Sequence, residues 1–227
     1  RGLLVKDMEV SDDYKQELAW PLDLAQQRGL GGPGGRDLLS VVRAFRPTVL
    51  IGTSGRPGAF NRAVVEAMAE HCDRPIILPF SNPTDYTEAR PEEVLRWTRG
   101  SALVATGSPF ADVTYEGRRI RIGQGNNVFV FPGIGLGGLL AGASKVSDRM
   151  ISAAAVALAE QVTDEELDLG MLYPEIGRLR EVSRVVAAAV MREASSEGVG
   201  DELDDCEIQH RLDAAAWEPA YREYTPA

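Results

Sequence analysis

The feature that most constrains the fold is an alternation of short apolar strand patterns with helix patterns between residues 37 and 131. The strand segments are apolar on both faces, which is typical of parallel strands that helices cover on each side. The helix segments carry start signals, with Asn61 as an N-cap candidate and Pro91 suited to a first turn. The four strand segments are PTVLIG, PIILPF, ALVATG and NVFVF. This alternation predicts an α/β fold with part of a Rossmann-like, doubly wound parallel sheet.

The carboxyl-terminal part of the chain has a different pattern, because helix signals follow one another there without intervening strands. Ser147 is a candidate cap for the helix DRMISAAAVALAEQV, and IGRLREVSRVVAAAVMREA carries one apolar stripe. Residues 197–227 are acidic and then aromatic, which indicates a tail that packs on another surface. We therefore divide the chain into residues 1–145, which hold the sheet, and residues 146–227, a helical extension that packs on it and includes the tail.

Charge and hydropathy limit the partners of the chain. The formal net charge is −10 at pH 7, which argues against nucleic acid, since phosphate binding needs a basic surface. No apolar run approaches the roughly 18 residues that cross a bilayer, so we expect no membrane partner. Cys72 and Cys206 fit neither a metal spacing nor a disulfide framework, and we expect a cytoplasmic location.

A glycine motif of the form Gly133-x-Gly135-x-x-Gly138 follows the fourth strand segment. A dinucleotide fingerprint of this form requires a second strand that ends in Asp or Glu about 20 residues later. Residues 149–159 contain no acidic residue and follow a helix pattern instead. We therefore interpret these glycines as positions where a helix packs closely on its neighbours, and we expect Gly135→Ala to act on folding or helix packing.

Polar turns at the strand ends form a better candidate site. Because parallel strands end at the same edge of a sheet, their turns meet where ligands bind in open α/β sheets. Asparagine amides both donate and accept hydrogen bonds, so they suit a substrate with hydroxyl and carboxylate groups. Each turn alone is equally compatible with ordinary turn chemistry. The turns are Thr53-Ser54-Gly55, Ser81-Asn82-Pro83-Thr84 and Thr106-Gly107-Ser108-Pro109, and Asn126-Asn127 precede the fourth strand segment.

The segments GTSGRPGAF, PIILPFSNPT, ATGSPF and GQGNNVFVFPG resemble, in order and spacing, the cofactor domain of malic enzymes. The resemblance runs from RGLLV to about LYPEIGRLREVS and covers most of the chain. It implies that residues 1–145 are the carboxyl-terminal part of an NAD(P)-binding Rossmann-like domain. It also implies oxidative decarboxylation of (S)-malate to pyruvate and CO2, with NAD or NADP as the cofactor and a divalent metal, Mg or Mn.

The resemblance also implies roles for residues that match the family motifs. The residues implied in malate binding are Asn82, Asn126 and Asn127. The residues implied in binding the dinucleotide are Thr53, Ser54, Ser81, Asn82, Gly107 and Asn127. Lys15 falls near a position where NADP-using members carry a lysine, but a surface lysine is the simpler interpretation, so NAD and NADP both stay open.

The catalytic Tyr and Lys of the family, its metal-binding carboxylates and its Gly-rich fingerprint all lie upstream of the segments that this chain matches. We therefore assign no catalytic residue and no metal ligand here, and expect the metal to bind outside this chain. The chain is expected to be a carboxyl-terminal fragment that is inactive alone. The intact enzyme is expected to be a homo-oligomer, either a dimer or a tetramer.

Two other functions fit the same residues. A malolactic enzyme shares these motifs and returns lactate with no net redox change, so analysis of the products separates it from a malic enzyme. A noncatalytic ligand-binding domain could use the same fold, and it becomes the better interpretation if the gene starts near Arg1. A Gly-rich turn, a Glu-Asp pair and a Lys upstream of Arg1 would indicate an enzyme.

Overall fold

The structure, a computed structural model, describes residues 2–6, 8–9, 13–32 and 35–216. The aromatic end of the predicted tail, from residue 217 onward, lies outside these residues. The α-helices of the described residues are α1 (Asp13–Glu17), α2 (Leu22–Gln27), α3 (Leu38–Phe45), α4 (Arg62–Ala69), α5 (Pro91–Trp97), α6 (Phe131–Leu140), α7 (Asp148–Ala159), α8 (Asp164–Asp168), α9 (Leu179–Ser196) and α10 (Asp205–Ala215). The strands are β1 (Val49–Gly52), β2 (Ile76–Pro79), β3 (Leu103–Thr106), β4 (Val113–Tyr115), β5 (Arg118–Ile120) and β6 (Gly123–Gln124).

Four parallel strands form the main sheet, in the order β1-β2-β3-β6. Leu50, Ile77 and Val104 are buried in their strands, as the apolar strand patterns predict. Val49 and Ile51 of β1 are exposed among the described residues, so the expected cover on both faces is wrong for this strand. Helices α4 and α5 connect consecutive strands, so the chain repeats a strand-helix-strand crossover. The prediction of a parallel α/β sheet is confirmed, because the segments PTVLIG, PIILPF and ALVATG contain β1, β2 and β3, which end at Gly52, Pro79 and Thr106.

The prediction of a strand over NVFVF is wrong. Residues Asn127–Phe129 form a 3-10 helix, and α6 begins at Phe131, with a proline in its first turn. The preference of valine and phenylalanine for strands is weak, and here burial of Phe129 in a helical core overrides it. The fourth strand is the two-residue β6, so Asn126 follows the last strand along the chain instead of preceding one.

Local signals that the sequence carries start several helices as predicted. The Asn61 side chain accepts a hydrogen bond from Val64 N at 3.1 Å and caps α4. Pro91 is the first residue of α5, where its missing N–H costs nothing. Ser147 caps α7 and accepts from Met150 N at 3.1 Å. The two caps and Pro91 therefore determine the residue at which each helix begins.

Strands β4 and β5 form a second, antiparallel sheet of two strands, separate from the main sheet. Glu116 and Gly117 form its turn, with φ angles of 47° and 79°. Two consecutive residues at positive φ are typical of the tight turns that match the twist of a hairpin. Residues 113–120 therefore form a β-hairpin.

The chain packs as two compact units, each with its own core. Of the residues that the structure describes, those within 1–125 and 164–172 form the first unit, and those within 126–163 and 173–227 form the second. The predicted division at residue 145 concerned the extent of the cofactor domain, and it stays a prediction. No helix among the described residues is long and apolar enough to span a bilayer.

In the second unit, the glycines of α6 let that helix approach α9 closely. A Cβ built on Gly133 would lie 2.6 Å from Val186 Cγ1, and one built on Gly137 would lie 2.6 Å from the backbone oxygen of Ala187. A Cβ at the motif's other two glycines would meet no described atom within 4 Å. The interpretation as helix packing is confirmed at Gly133. It is wrong at Gly135, which faces open space, so the expected effect of Gly135→Ala on folding stays a prediction that rests on helix propensity alone.

Candidate functional site

The carboxyl ends of β1, β2 and β3 lie at one edge of the first unit's sheet, because these strands are parallel neighbours. The turns after the strands carry the predicted residues. Thr53 and Ser54 are exposed after β1, and Asn82 is exposed after β2. Ser81 and Gly107 are buried in the turns after β2 and β3. The structure thus brings the predicted residues of the first unit to one edge of the sheet, which we call the carboxyl edge.

A buried carboxylate joins two of these turns. Glu88 has no exposed surface, and its Oε1 accepts from Ser54 N at 2.7 Å, Ser54 Oγ at 2.8 Å and Ser81 Oγ at 2.6 Å. Its Oε2 accepts a longer hydrogen bond from Ser81 N at 3.3 Å. Ser81 Oγ in turn accepts from Gly55 N at 2.8 Å. The turns after β1 and β2 are therefore tied together through one carboxylate and one hydroxyl.

The charge state of Glu88 follows from this environment. Burial raises the pKa of the carboxyl, but the hydrogen bonds from Ser81 and Ser54 outweigh burial and hold the pKa below its ordinary value. Glu88 is therefore ionised at neutral pH and acts only as an acceptor. Hydrogen bonds to an ionised acceptor are roughly twice as strong as those between neutral groups, so this contact fixes the two turns firmly.

Two glycines allow the close approaches within the carboxyl edge. A Cβ on Gly52 would lie 2.6 Å from Glu88 Cδ and 2.7 Å from Phe60 Cζ, so Gly52 leaves the space that the Glu88 side chain fills. A Cβ on Gly107 would lie 2.1 Å from the backbone oxygen of Phe80. A side chain at Gly107 would require the backbone after β2 to move, and a side chain at Gly52 would displace the side chains of Glu88 and Phe60.

Asn82 is held in place by the turn after β3. Its Oδ1 accepts from Ser108 Oγ at 2.6 Å, and its Nδ2 donates to the backbone oxygen of Phe80 at 3.2 Å. Gln124 Nε2 donates to the backbone oxygen of Gly107 at 3.0 Å and links the same turn to β6. The amide of Asn82 is thus oriented before a ligand arrives. Asn82 is an exposed residue, and its NH2 has a second hydrogen that could bond a ligand.

Asn126 and Asn127 belong to the second unit and differ in what their side chains do. Asn126 Oδ1 accepts from Val128 N at 3.0 Å and caps the 3-10 helix, so its oxygen is occupied while its NH2 remains a donor. Asn127 is exposed and makes no side-chain hydrogen bond among the described residues. Both asparagines can donate to a carboxylate, but Asn126 also stabilises the turn.

The chemistry of the carboxyl edge is that of a binding surface. It presents hydroxyl, amide and backbone groups, and its carboxylate, Glu88, is buried. Among residues 2–6, 8–9, 13–32 and 35–216, no group of three or more His, Cys, Asp or Glu side chains could hold a metal ion. The described residues therefore do not fit the divalent metal that the resemblance implies.

Sequence reasoning did not find Glu88. The residue lies in the polar segment SNPTDYTEARPEE, where acidic residues ordinarily face solvent, as Glu92 does. Its burial depends on the gap left by Gly52, which lies at the end of β1, far from Glu88 in sequence. A residue whose environment comes from a distant part of the chain gives no local signal.

Comparison with known proteins places these segments in one family. The family described as "Malic enzyme, NAD binding domain" matches residues 1–195. The NAD-dependent malic enzyme of Sodalis glossinidius is 44% identical over 223 residues, which cover 98% of this chain and 39% of that enzyme. The NAD-dependent malic enzyme of Pseudomonas aeruginosa is 44% identical over 225 residues, which cover 98% of this chain and 40% of that enzyme. The chain thus spans about two fifths of the length of these relatives.

Solved structures give the same family. The malic enzyme of Pyrococcus horikoshii matches 78% of this chain and 36% of its own, with 28% identity and a TM-score of 0.57. The malic enzyme of Entamoeba histolytica matches 94% of this chain and 39% of its own, with 24% identity and a TM-score of 0.64, which shows the shared fold.

Proposed function

Because this chain belongs to the malic enzyme family, in the part described as the NAD binding domain, we propose that it binds NAD for the oxidative decarboxylation of (S)-malate to pyruvate and CO2. The observation that supports this most strongly is the polar carboxyl edge after β1, β2 and β3, which lies within the matched residues 1–195. Since the chain spans 39% of its Sodalis relative, we propose that it works within a longer polypeptide.

NAD is the proposed cofactor because the similar malic enzymes are named as NAD-dependent. The carboxyl edge fits a dinucleotide, since its hydroxyl, amide and backbone groups can bond ribose hydroxyls and phosphates. The hydroxyls of Ser54 and Ser81 donate hydrogen bonds to Glu88. We therefore propose that these two serines hold the turns in the conformation that binds the cofactor. Exposed Thr53 and Asn82 are assigned side-chain contacts with the cofactor. NAD, when bound, supplies the acceptor for the hydride of malate.

Malate is the proposed substrate, and amide donors are the groups proposed to bind its carboxylates. In the first unit, Asn82 presents an oriented NH2. In the second unit, Asn127 is exposed, and we propose that it contacts both malate and the cofactor. The oxygen of the Asn126 side chain caps the 3-10 helix, so its NH2 is the group proposed to donate to malate. A hydrogen bond from a neutral donor to an ionised carboxylate stabilises binding by about 1.5–3 kcal/mol.

The groups that move protons and hold the divalent metal are proposed to lie outside the described residues. A lysine base and a tyrosine acid would perform the proton transfers, as the family resemblance implies. The part that this chain plays is to bind and orient the cofactor and the substrate carboxylates. A cytoplasmic, homo-oligomeric enzyme is part of the same proposal, and the size of the purified polypeptide in solution tests the second point.

The test uses the longer polypeptide that carries this chain, incubated with malate, Mn2+ and either NAD or NADP. We expect NADH and pyruvate in equal amounts, with a lower KM for NAD than for NADP. Lactate without accumulation of NADH would show a malolactic enzyme and contradict the proposal. NAD binding without turnover would show a noncatalytic domain, and a lower KM for NADP would reverse the cofactor assignment alone.

A further inference from the structure

Glu88 joins the two turns that carry Ser54 and Ser81, but none of the assignments above gives it a part in function. We propose that Glu88 is a positioning residue for the cofactor, because its buried carboxylate holds these turns in the conformation that receives NAD. The inference rests on the proposed function. Since Glu88 has no exposed surface, it acts through the two serines and does not touch the ligand.

The hydrogen bonds around Glu88 give each serine hydroxyl one direction. Gly55 N donates to Ser81 Oγ, and Ser81 Oγ donates to Glu88 Oε1. Arg56 N donates to Ser54 Oγ at 3.3 Å, and Ser54 Oγ donates to the same carboxylate oxygen. Both hydroxyl protons therefore point inward, away from the solvent side of the edge. A ligand at this edge meets turns whose backbone is already ordered, which lowers the entropy that binding must lose.

A carboxylate performs this task better than another side chain of the same size. Three donors converge on Oε1, and Ser81 N approaches Oε2, so both oxygens of Glu88 act as acceptors. A glutamine would keep one acceptor oxygen, but its NH2 would face the Ser81 N–H. An alanine would leave every one of these donors without its partner. We therefore expect Glu88→Ala to disturb the two turns more than Glu88→Gln does.

Gly52 provides independent support for a built contact. A Cβ at this position would overlap Glu88 Cδ and Cγ, at 2.6 and 2.8 Å. The end of β1 thus has the one residue that leaves room for the Glu88 side chain. The carboxylate, the gap and the two serines come from three separate segments of the chain, and they converge beneath the turns assigned to NAD.

The experiment compares Glu88→Gln, Glu88→Ala and Ser81→Ala in the longer polypeptide, with Glu92→Gln as the matched control, because Glu92 is a nearby exposed glutamate. Each variant is measured for KM and Kd of NAD, for kcat at saturating NAD and malate, and for Tm. We expect Glu88→Ala and Ser81→Ala to raise KM and Kd for NAD about 10- to 100-fold, with kcat within about threefold of the parent. Glu88→Gln should raise both constants less, by about 2- to 10-fold, and Glu92→Gln should change neither.

The outcomes separate the two proposals. If the parent enzyme is active but Glu88→Gln and Ser81→Ala keep KM and Kd for NAD within twofold, the positioning role is wrong and the proposed function stands. A lower Tm with unchanged constants in the folded variants also contradicts the positioning role, because it shows a purely structural contact. If Glu88→Ala does not fold, the other two variants decide. If the parent polypeptide does not bind NAD, both proposals fail.

Discussion

Gly137→Ala should destabilise the second unit, whereas Gly135→Ala in the same helix should stabilise it. Both glycines lie within α6, and neither has a positive φ, so alanine is compatible with the backbone at each position. The difference is in the surroundings. A Cβ at Gly137 would lie 2.6 Å from the oxygen of Ala187 and 2.8 Å from Val190 Cβ, whereas a Cβ at Gly135 would meet no described atom within 4 Å.

The magnitude follows from two opposing effects. Replacing glycine by alanine inside a helix stabilises it by about 0.8–1 kcal/mol, and this gain is common to both variants. Overpacking of a close contact costs about 1–3 kcal/mol, and only Gly137→Ala incurs that cost. The propensity gain cancels in the comparison, so Gly137→Ala should be less stable than Gly135→Ala by about 1–3 kcal/mol.

Urea unfolding followed by circular dichroism at the helix band measures this difference on the chain itself. For a chain of this size, 1 kcal/mol corresponds to about 2–4 °C in Tm, so thermal unfolding gives a second measurement. Equal stability of the two variants, or a more stable Gly137→Ala, would show that α6 and α9 do not pack as closely as described.

Other expected outcomes concern the carboxyl edge and the asparagine pair. Folding lowers the pKa of Glu88, so its carboxylate stabilises the fold above the ordinary value of 4.5, and this stabilisation is lost as the pH falls below that value. The difference in free energy of unfolding between the parent and Glu88→Gln should therefore be smaller in acid than at neutral pH. An equal difference in urea titrations at the two pH values would contradict this. Asn127→Ala in the longer polypeptide should lower kcat/KM for malate about 10- to 150-fold with little change in Tm. Asn126→Ala should also lower Tm, because it removes a helix cap. Near-normal kcat/KM for malate in both variants would refute the proposal that these asparagines bind malate. Gly52→Ala should lower Tm, because two of the three closest contacts of the new Cβ are with Glu88. The loss in Tm should be smaller when Gly52→Ala is added to the Glu88→Ala variant. An equal loss in Tm in the parent and in Glu88→Ala would contradict the close packing of Glu88 against Gly52.

Much of the sheet could be predicted from the sequence, because the apolar strands and the helix caps are local signals. Asn61 and Pro91 mark helix starts wherever the helix packs, and a β-branched run bounded by turns indicates a strand. The segment NVFVF shows the limit of that reasoning. Its residue types favour a strand, but Phe129 is buried among helices of the second unit, and a sequence pattern does not contain that partner.

The glycines and Glu88 could not be predicted for the same reason. Periodicity does not show which side of α6 meets α9, so Gly133 and Gly135 look alike in sequence although only Gly133 is in close contact. The order of the parallel strands does predict that the turns with Ser54 and Ser81 share an edge. The carboxylate beneath those turns depends on a gap at Gly52, which only the folded chain displays.

Hydrogen–deuterium exchange on the longer polypeptide, with and without saturating NAD, tests most directly whether the cofactor binds at the carboxyl edge. We predict slower amide exchange at residues 53–56, 81–84 and 106–108 when NAD is bound, since the turns after β1, β2 and β3 would contact it. Exchange at the hairpin turn of Glu116 and Gly117 should not change. NAD binding confirmed by calorimetry, with no protection at the three turns, would contradict this assignment of the cofactor site.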